Sequence, residues 1–420
     1  MVAVHIDIIH GDDLVRPPVV APIDLASFVP PVRIVQSAPD ASEIRLQRFM
    51  DQPVWRAQTP GGPRLFDAGS GQPIPDLSEA QIRAAARRIY SGTGDIVAAR
   101  LLTTAPLEMQ ARKPPYWQVE FDAWNRPTLY LSPQTGELIS RRHALWRVFD
   151  FAWMLHIMDY DDRSDVNNPL LREEEGMKKI RFTPLFFRRI HKWVGLILGV
   201  QFLLWALSGS MMALLDQEKV GGHSAQASHQ HALPAGDYIA PAKLALDGPV
   251  LGIALRSLAT RPVYELRSTT GTRLIDATSG APVRVDEQVA RDVATMVNEA
   301  PIRKATLLAE PNVEAREHEG TMWRLDFADA ENSSAYISAD TGRFLVMRGD
   351  TWRTWDFFWM LHNMDYVNRT SFNHPLIVFV AFGTLWLSGT GFYLLFKSFS
   401  RADVRWLRRR RKSAVKLGAG

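Results

Sequence analysis

The chain has 420 residues, a formal net charge of +4 and no cysteine, and hydrophobic residues make up 46 % of it. This length allows about two or three domains. The lack of cysteine excludes disulfides, thiolate zinc sites, cysteine-ligated iron–sulfur clusters and cysteine nucleophiles. Redox chemistry would therefore need a cofactor held by other side chains, or a partner protein.

The first 150 residues have the pattern of a mixed module. No basic region followed by an apolar run opens the chain, so no signal peptide is predicted. Alternating segments at 54–57 and 64–67, joined by a Gly-rich turn, predict a hairpin. Ser78, with Gln81 three residues later, predicts a helix that begins with a capping box. Alternation over 116–131 and the turn at Thr135–Gly136 complete an α+β module with an antiparallel sheet and one main helix.

The same patterns recur later in the chain. Residues 146–171 and 352–377 are identical at 15 of 26 positions without a gap. Residues 53–73 match 262–282, and 129–138 match 335–344. The chain therefore carries one module twice, at 1–150 and 217–350. An aromatic segment with a basic linker follows the first module at 151–183, and a second aromatic segment follows the other at 351–374.

Two apolar runs predict membrane-spanning helices, at 184–216 and 375–397. Residues 193–215 and 375–396 carry no charge, and each run is long enough for a hydrocarbon core of about 30 Å. Basic residues precede the first run and fill the tail at 398–420, which places both of these ends in the cytoplasm. Residues 217–374 are then periplasmic. The basic tail anchors this topology rather than binding nucleic acid. Two observations disagree about which side of the membrane residues 1–180 occupy. The basic residues before the first span favour the cytoplasm, and the likeness to the second module favours the periplasm.

These motifs carry a resemblance. RRIHKWVGLILGVQFLLWALSG, from residue 188, resembles the first helix of the PepSY-associated transmembrane family. The helix and hairpin that end in TGEL at 135–138 resemble a PepSY module. The resemblance implies a bacterial inner-membrane protein with periplasmic PepSY modules between helices. Some members of the family are haem-bearing reductases of ferric siderophores. The full plan is helix–module–helix, twice, and this sequence lacks both helices around the first module.

Four histidines are candidate ligands of haem b. His191 lies at the inner end of the first span, where a neutral imidazole ligates haem iron; an interfacial cation is the alternative. His362 and its repeat mate His156 lie in aromatic stretches beside the outer boundary, where helix packing is the alternative. His374 directly precedes the second span. A core about 30 Å thick separates His191 from His362, so the two are predicted to serve different iron sites.

Other sequence features carry weaker chemistry. His223, His229 and His231 contain a His-x-His pair that binds divalent metals, and a loop beside the membrane is the alternative. Gly195, Gly199 and the Ser-Gly pairs at 208–209 and 388–389 predict helix-contact faces. Hydrolytic, phosphate-loop, flavin and dinucleotide motifs are absent from the sequence.

Two functions fit these observations. The first is a haem-bearing electron-transfer component, embedded in the lipid bilayer, that serves reduction of a ferric chelate outside the inner membrane. Its electrons would come from another protein or a quinol. A helix that this sequence lacks, or another subunit of a homo-oligomer, would complete the site of His191. The second is a non-enzymatic membrane-anchored module that binds a periplasmic protein such as a peptidase. The presence of opposed histidines at membrane depth distinguishes the two functions, because only the electron carrier needs them.

Overall fold

The computed structural model describes residues 11–16, 22–50, 52–109, 112–157, 184–221, 232–234, 236–244, 248–367, 369 and 374–398. The chain divides into two compact units. One is helical and comprises residues 1–5, 168–214 and 356–420; the other comprises residues 6–167 and 215–355 and contains all the described strands.

The first module contains three α-helices and eight strands among its described residues. The helices are α1 Pro31–Ser37, α2 Glu79–Ile89 and α3 Ala144–Ile157. The strands are β1 Glu43–Phe49, β2 Gln52–Thr59, β3 Gly62–Asp67, β4 Pro73–Ile74, β5 Ile96–Leu102, β6 Tyr116–Phe121, β7 Thr128–Leu131 and β8 Leu138–Arg142.

The long helix α4, Pro184–Leu214, comes next, and the second module repeats the order of the first. Its helices are α5 Gln217–Gly221, α6 Glu287–Thr295 and α7 Asp350–Asn363. Its strands are β9 Val250–Leu258, β10 Arg261–Ser268, β11 Gly271–Asp276, β12 Pro282–Val283, β13 Ile302–Leu308, β14 Met322–Phe327, β15 Ser334–Ser338 and β16 Phe344–Arg348. Helix α8, Pro375–Ser398, is the last described element.

The two modules share one sheet. Its eight strands lie in the order β12-β11-β10-β9-β1-β2-β3-β4, so the equivalent strands β1 and β9 meet at its centre. They pair antiparallel, with Ile44 opposite Leu255. Each module therefore covers an edge of the other, which removes two exposed strand edges.

Residues of both modules form a single hydrophobic core on this sheet. Ile44, Trp55, Leu255 and Tyr264 are among its members, and each is at most 1 % exposed. Trp55 Nε1 donates to the carbonyl of Val29 at 3.1 Å, and Tyr264 Oη donates to that of Ile239 at 2.8 Å. Burying one large apolar side chain contributes about 1.5–3 kcal/mol. The core thus makes the two modules one folding unit.

Each module also has a four-stranded antiparallel sheet, ordered β5-β6-β7-β8 or β13-β14-β15-β16, with one helix packed on it. The predicted capping box is confirmed: Ser78 and Gln81 exchange hydrogen bonds at the start of α2. The Thr-Gly turn joins the last two strands of each sheet. Gly136 and Gly342 have φ values of 65° and 64°, a left-handed conformation that favours glycine.

A polar network joins the four-stranded sheet to the next helix in both modules. In the second module, Glu314 accepts from Tyr336 Oη at 2.7 Å and from Arg353 Nε at 2.8 Å. In the first module, Glu108 accepts from Tyr130 Oη at 2.6 Å and from Arg147 Nε at 2.8 Å. In each, a second arginine stacks on a tryptophan: Arg348 on Trp352 and Arg142 on Trp146. The network therefore belongs to the module rather than to one copy.

Four strands of each module were not predicted: β1, β4, β5 and β8, with their equivalents β9, β12, β13 and β16. The first of these pairs with a strand about 210 residues away, and no local signal marks such a partner. The other three follow or precede predicted elements closely, and their short runs are ambiguous between strand and loop.

The helical unit contains both apolar runs. Residues 190–214 and 375–395 are long and apolar enough to span a bilayer, and only 11 % of each run is buried. Such exposure differs from the core helix of a soluble protein, where most of the surface is covered. Helices α4 and α8 pack against each other through Leu198 and Val380, and Met364 joins this cluster.

Candidate functional site

His191 contacts helix α8 through a hydroxyl. Its Nδ1 lies 2.8 Å from Thr390 Oγ1. The same hydroxyl lies 2.9 Å from the carbonyl oxygen of Trp386 and 3.1 Å from that of Leu387. When its one proton is donated to either carbonyl, the hydroxyl accepts from Nδ1–H of His191, and Nε2 has the lone pair that could bind haem iron.

His362 makes the equivalent contact at the other end of α4. Its Nδ1 lies 3.1 Å from Ser208 Oγ, and that hydroxyl donates to the carbonyl of Leu204 at 2.6 Å. While Ser208 donates to that carbonyl, it accepts from His362 in the tautomer whose ring proton is on Nδ1. Trp205 Nε1 donates to the carbonyl of His362 at 2.8 Å, which holds the last turn of α7 against α4.

A glycine lies beside each imidazole. A Cβ added to Gly391 would lie 3.3 Å from His191 Cε1, and one added to Gly209 would lie 3.5 Å from His362 Cε1. The absence of a side chain lets each ring lie close to the neighbouring helix. The predicted helix-contact role holds for Gly195, which faces Leu387, whereas an added Cβ at Gly199 meets no atom within 4 Å.

The two sites are far apart along one helix. Residue 191 belongs to α4, and His362 contacts residue 208 of the same helix. At 1.5 Å per residue this spacing corresponds to about 25 Å. Two axial nitrogens on one iron are far closer than this, so one haem cannot bridge His191 and His362.

His374 uses both of its ring nitrogens in contacts with the backbone. Its Nε2 lies 2.8 Å from the carbonyl oxygen of Asn363, and its Nδ1 accepts from the backbone N–H of Ile377 at 3.5 Å. Located just before α8, it satisfies one of the N–H groups that a helix N-terminus leaves unpaired. A ligand role for His374 would require breaking these contacts.

The remaining candidates are less defined. His156 lies in α3, and its side chain is outside the described residues. His223, His229 and His231 lie outside the described residues altogether. Within the part of the chain that the structure describes, His, Asp and Glu side chains form no group of three or more that could hold a metal ion.

Sequence reasoning missed the partners that fix the two rings. Ser208 was assigned only to a helix contact, and Thr390 was not singled out. A signal was available, because both spans place a hydroxyl residue directly before a glycine, at 208–209 and 390–391. Both hydroxyls are buried, with exposures of 0 % for Ser208 and 8 % for Thr390.

The family model of the PepSY-associated TM region matches residues 188–417, which covers more than half of the chain. The chain belongs to the PepSY-associated TM family. This match confirms the resemblance found in the first span and extends it through the second module and α8. It identifies a membrane protein. No curated protein and no solved structure gave a significant match.

Proposed function

We propose that this PepSY-associated TM protein is a haem-bearing electron-transfer component of the bacterial inner membrane, serving reduction of ferric chelates outside. The observation that supports this is that His191 and His362 each place Nδ1 against a buried hydroxyl. In the tautomer with the ring proton on Nδ1, that hydroxyl orients the imidazole, and Nε2 has the lone pair that would bind haem iron. A bound haem b would supply one-electron chemistry at each face.

In this proposal, His191 would hold a haem near the inner face and His362 one near the outer face. Thr390 and Ser208 orient the rings and fix the tautomer. A second copy of the chain would supply the further histidine that holds the haem at the inner site. Helix packing in lipid then excludes water from both sites.

The test is a reduced-minus-oxidised absorbance spectrum of the purified protein, made in cells grown with ample haem. We expect a Soret band that weakens in His191→Ala and in His362→Ala. Thr390→Val should lower haem affinity by about 10- to 100-fold, the usual cost of losing the group that orients a ligating histidine. Ser388→Ala is the control, because this exposed residue precedes Thr390 by two positions on the same helix.

A wild-type spectrum without a Soret band would exclude the electron carrier and leave the alternative of a module that binds a periplasmic protein. A band that His191→Ala removes and His362→Ala leaves intact would limit the proposal to one inner site. Equal effects of Thr390→Val and Ser388→Ala would contradict the orienting role of Thr390.

We also infer that both modules are periplasmic. The basic residues before α4 and in the tail favour cytoplasmic ends, so the second module follows α4 on the outside. The first module belongs to the same sheet and therefore to the same compartment. Residues 158–183, which link the first module to α4 along the chain, lie outside the described residues.

Cysteine labelling tests this topology, since the chain has no cysteine of its own. Glu79→Cys and Glu287→Cys replace equivalent first-turn residues of α2 and α6 that are 51 % and 52 % exposed. A maleimide that cannot cross the inner membrane should label both in intact cells, and should label Lys416→Cys only after lysis. Protection of residue 79 with labelling of residue 287 would place the modules on opposite sides.

A further inference from the structure

The two modules differ in one surface, at the turn between the second and third strands of the four-stranded sheet. In the first module this turn carries Trp124, which is 92 % exposed. The turn touches the start of α3: the N–H of Ala144 donates to the carbonyl of Asn125 at 2.6 Å. Arg147 binds the carbonyl of Arg126 at 3.0 Å. The turn and the first turns of α3 therefore form one surface.

This surface is apolar and basic. Val148 and Phe151 are 64 % and 56 % exposed. Both lie on the same face of α3 as Ala144, because residues three and four apart share a helix face. The side chain of Arg126 is exposed in the turn. Arg112 and Lys113 are also exposed, just after the 3₁₀ turn whose Glu108 binds Arg147. We call this surface, comprising Trp124, Arg126, Val148 and Phe151, the tryptophan patch.

The equivalent surface of the second module has different chemistry. Trp124 corresponds to Ala330, Arg126 to Asn332 and Val148 to Thr354. Three other equivalent positions change from neutral or basic to acidic: Asn125 to Glu331, Ala144 to Asp350 and Lys113 to Glu319. Glu331 there binds Lys219 of α5 and the N–H of Thr351.

The fold does not require the tryptophan patch. Phe151 is kept as Phe357, which is 48 % exposed. The second module builds the same Tyr–Glu–Arg network and the same helix start without the other three side chains, and the turn residue is left-handed in both modules, Arg126 at φ 47° and Asn332 at φ 45°. The exposed Trp124, Arg126 and Val148 therefore have a reason other than stability.

We propose that the tryptophan patch rests on the surface of an anionic lipid bilayer. Tryptophan partitions to the interface between hydrocarbon and headgroups, and apolar side chains on a helix face insert to the same depth. Arginines beside them attract anionic headgroups, which acidic side chains at the second module would repel. The protein is bound to the bilayer already, so contact costs little translational entropy. The patch fixes the first module against the membrane, and the second module lacks this contact.

The experiment uses the full-length protein in vesicles of phosphatidylcholine, with or without phosphatidylglycerol, that carry a headgroup-linked nitroxide lipid. An environment-sensitive fluorophore is attached to Asp122→Cys, which is exposed in the turn, or to the equivalent Ala328→Cys as the matched control. We expect a blue-shifted emission and strong nitroxide quenching at residue 122, increased by phosphatidylglycerol, and weak quenching at residue 328.

Three substitutions import the residues of the second module: Trp124→Ala, Val148→Thr and Arg126→Asn. Each side chain is exposed, so the fold is kept. Arg126→Asn should lower the equilibrium constant for surface contact by about fivefold, the effect of one basic residue at an anionic surface. Trp124→Ala should reduce quenching even without anionic lipid. Equal quenching at residues 122 and 328, or quenching at 122 that none of the substitutions changes, would overturn the lipid contact.

Discussion

Glu265→Ala should destabilise the extramembrane unit by about 3–5 kcal/mol, the usual cost of removing one partner from a buried ion pair. Glu265 accepts from Arg256 Nε at 2.6 Å and from Arg343 Nε at 2.9 Å. The side chain of Arg256 is only 7 % exposed. The substitution removes the negative charge that separates this buried guanidinium from that of Arg343. Glu43 of the first module then remains as a carboxylate of the cluster.

The measurement is urea unfolding of the detergent-solubilised protein, followed by the circular dichroism of its sheets. The first module offers a matched control with reversed charges: Arg56 takes the place of Glu265, and Glu137 that of Arg343. This pair is 3.4 Å apart and its side chains are 24 % and 44 % exposed, so Glu137→Ala should cost no more than about 1 kcal/mol. Equal losses in the two variants would contradict the role of burial.

The same cluster gives a pH dependence. Burial alone would raise the pKa values of Glu43 and Glu265, but the neighbouring arginines outweigh it and hold both below the ordinary value of 4.5. A carboxylate whose pKa is lower in the folded state stabilises the protein above its unfolded pKa. This stability is lost as the pH falls below about 4.5 towards the folded pKa. Glu265→Ala should therefore show a shallower loss of stability in acid than the wild-type protein.

Glu314→Ala should cost about 2–3 kcal/mol, because it removes two hydrogen bonds that involve a charged group. Glu314 binds Tyr336 and Arg353, and its side chain is 15 % exposed. Burial, reinforced by Glu314, raises the pKa of Tyr336, so its hydroxyl stays protonated and donates at neutral pH. The variant leaves Arg353 with Asp350 as its remaining acidic partner.

The repeat supplies the control for this prediction. Glu108→Ala removes the equivalent contacts to Tyr130 and Arg147 and should cost a similar amount. Combining Glu314→Ala with Arg353→Ala should cost less than the sum of the single losses, since both remove the same contact. Strict additivity in that double-mutant cycle, measured by urea unfolding, would show that the pair contributes no coupling.

The sequence was informative where a signal is local. Uncharged runs predicted both apolar helices, and Ser78 with Gln81 predicted the start of α2. The pairing of Ile44 with Leu255 could not be predicted, because alternation identifies a strand but not its partner. The Tyr–Glu–Arg network could have been predicted, because the repeat retains Glu108, Tyr130 and Arg147 at the same spacing as their equivalents. The orientation of His191 could not be predicted, since it depends on a hydroxyl about 200 residues away.

The strand pairing at the centre of the shared sheet constrains how the protein is made. Ile44 leaves the ribosome about 210 residues before Leu255. At about 5–20 residues per second, the first module waits roughly 10–40 s for its partner strand. During that time the edge of β1 and its half of the hydrophobic core are open to other chains. Synthesis of α4 and of the second module's first strands falls within this interval, so chaperone protection of the first module is most needed then.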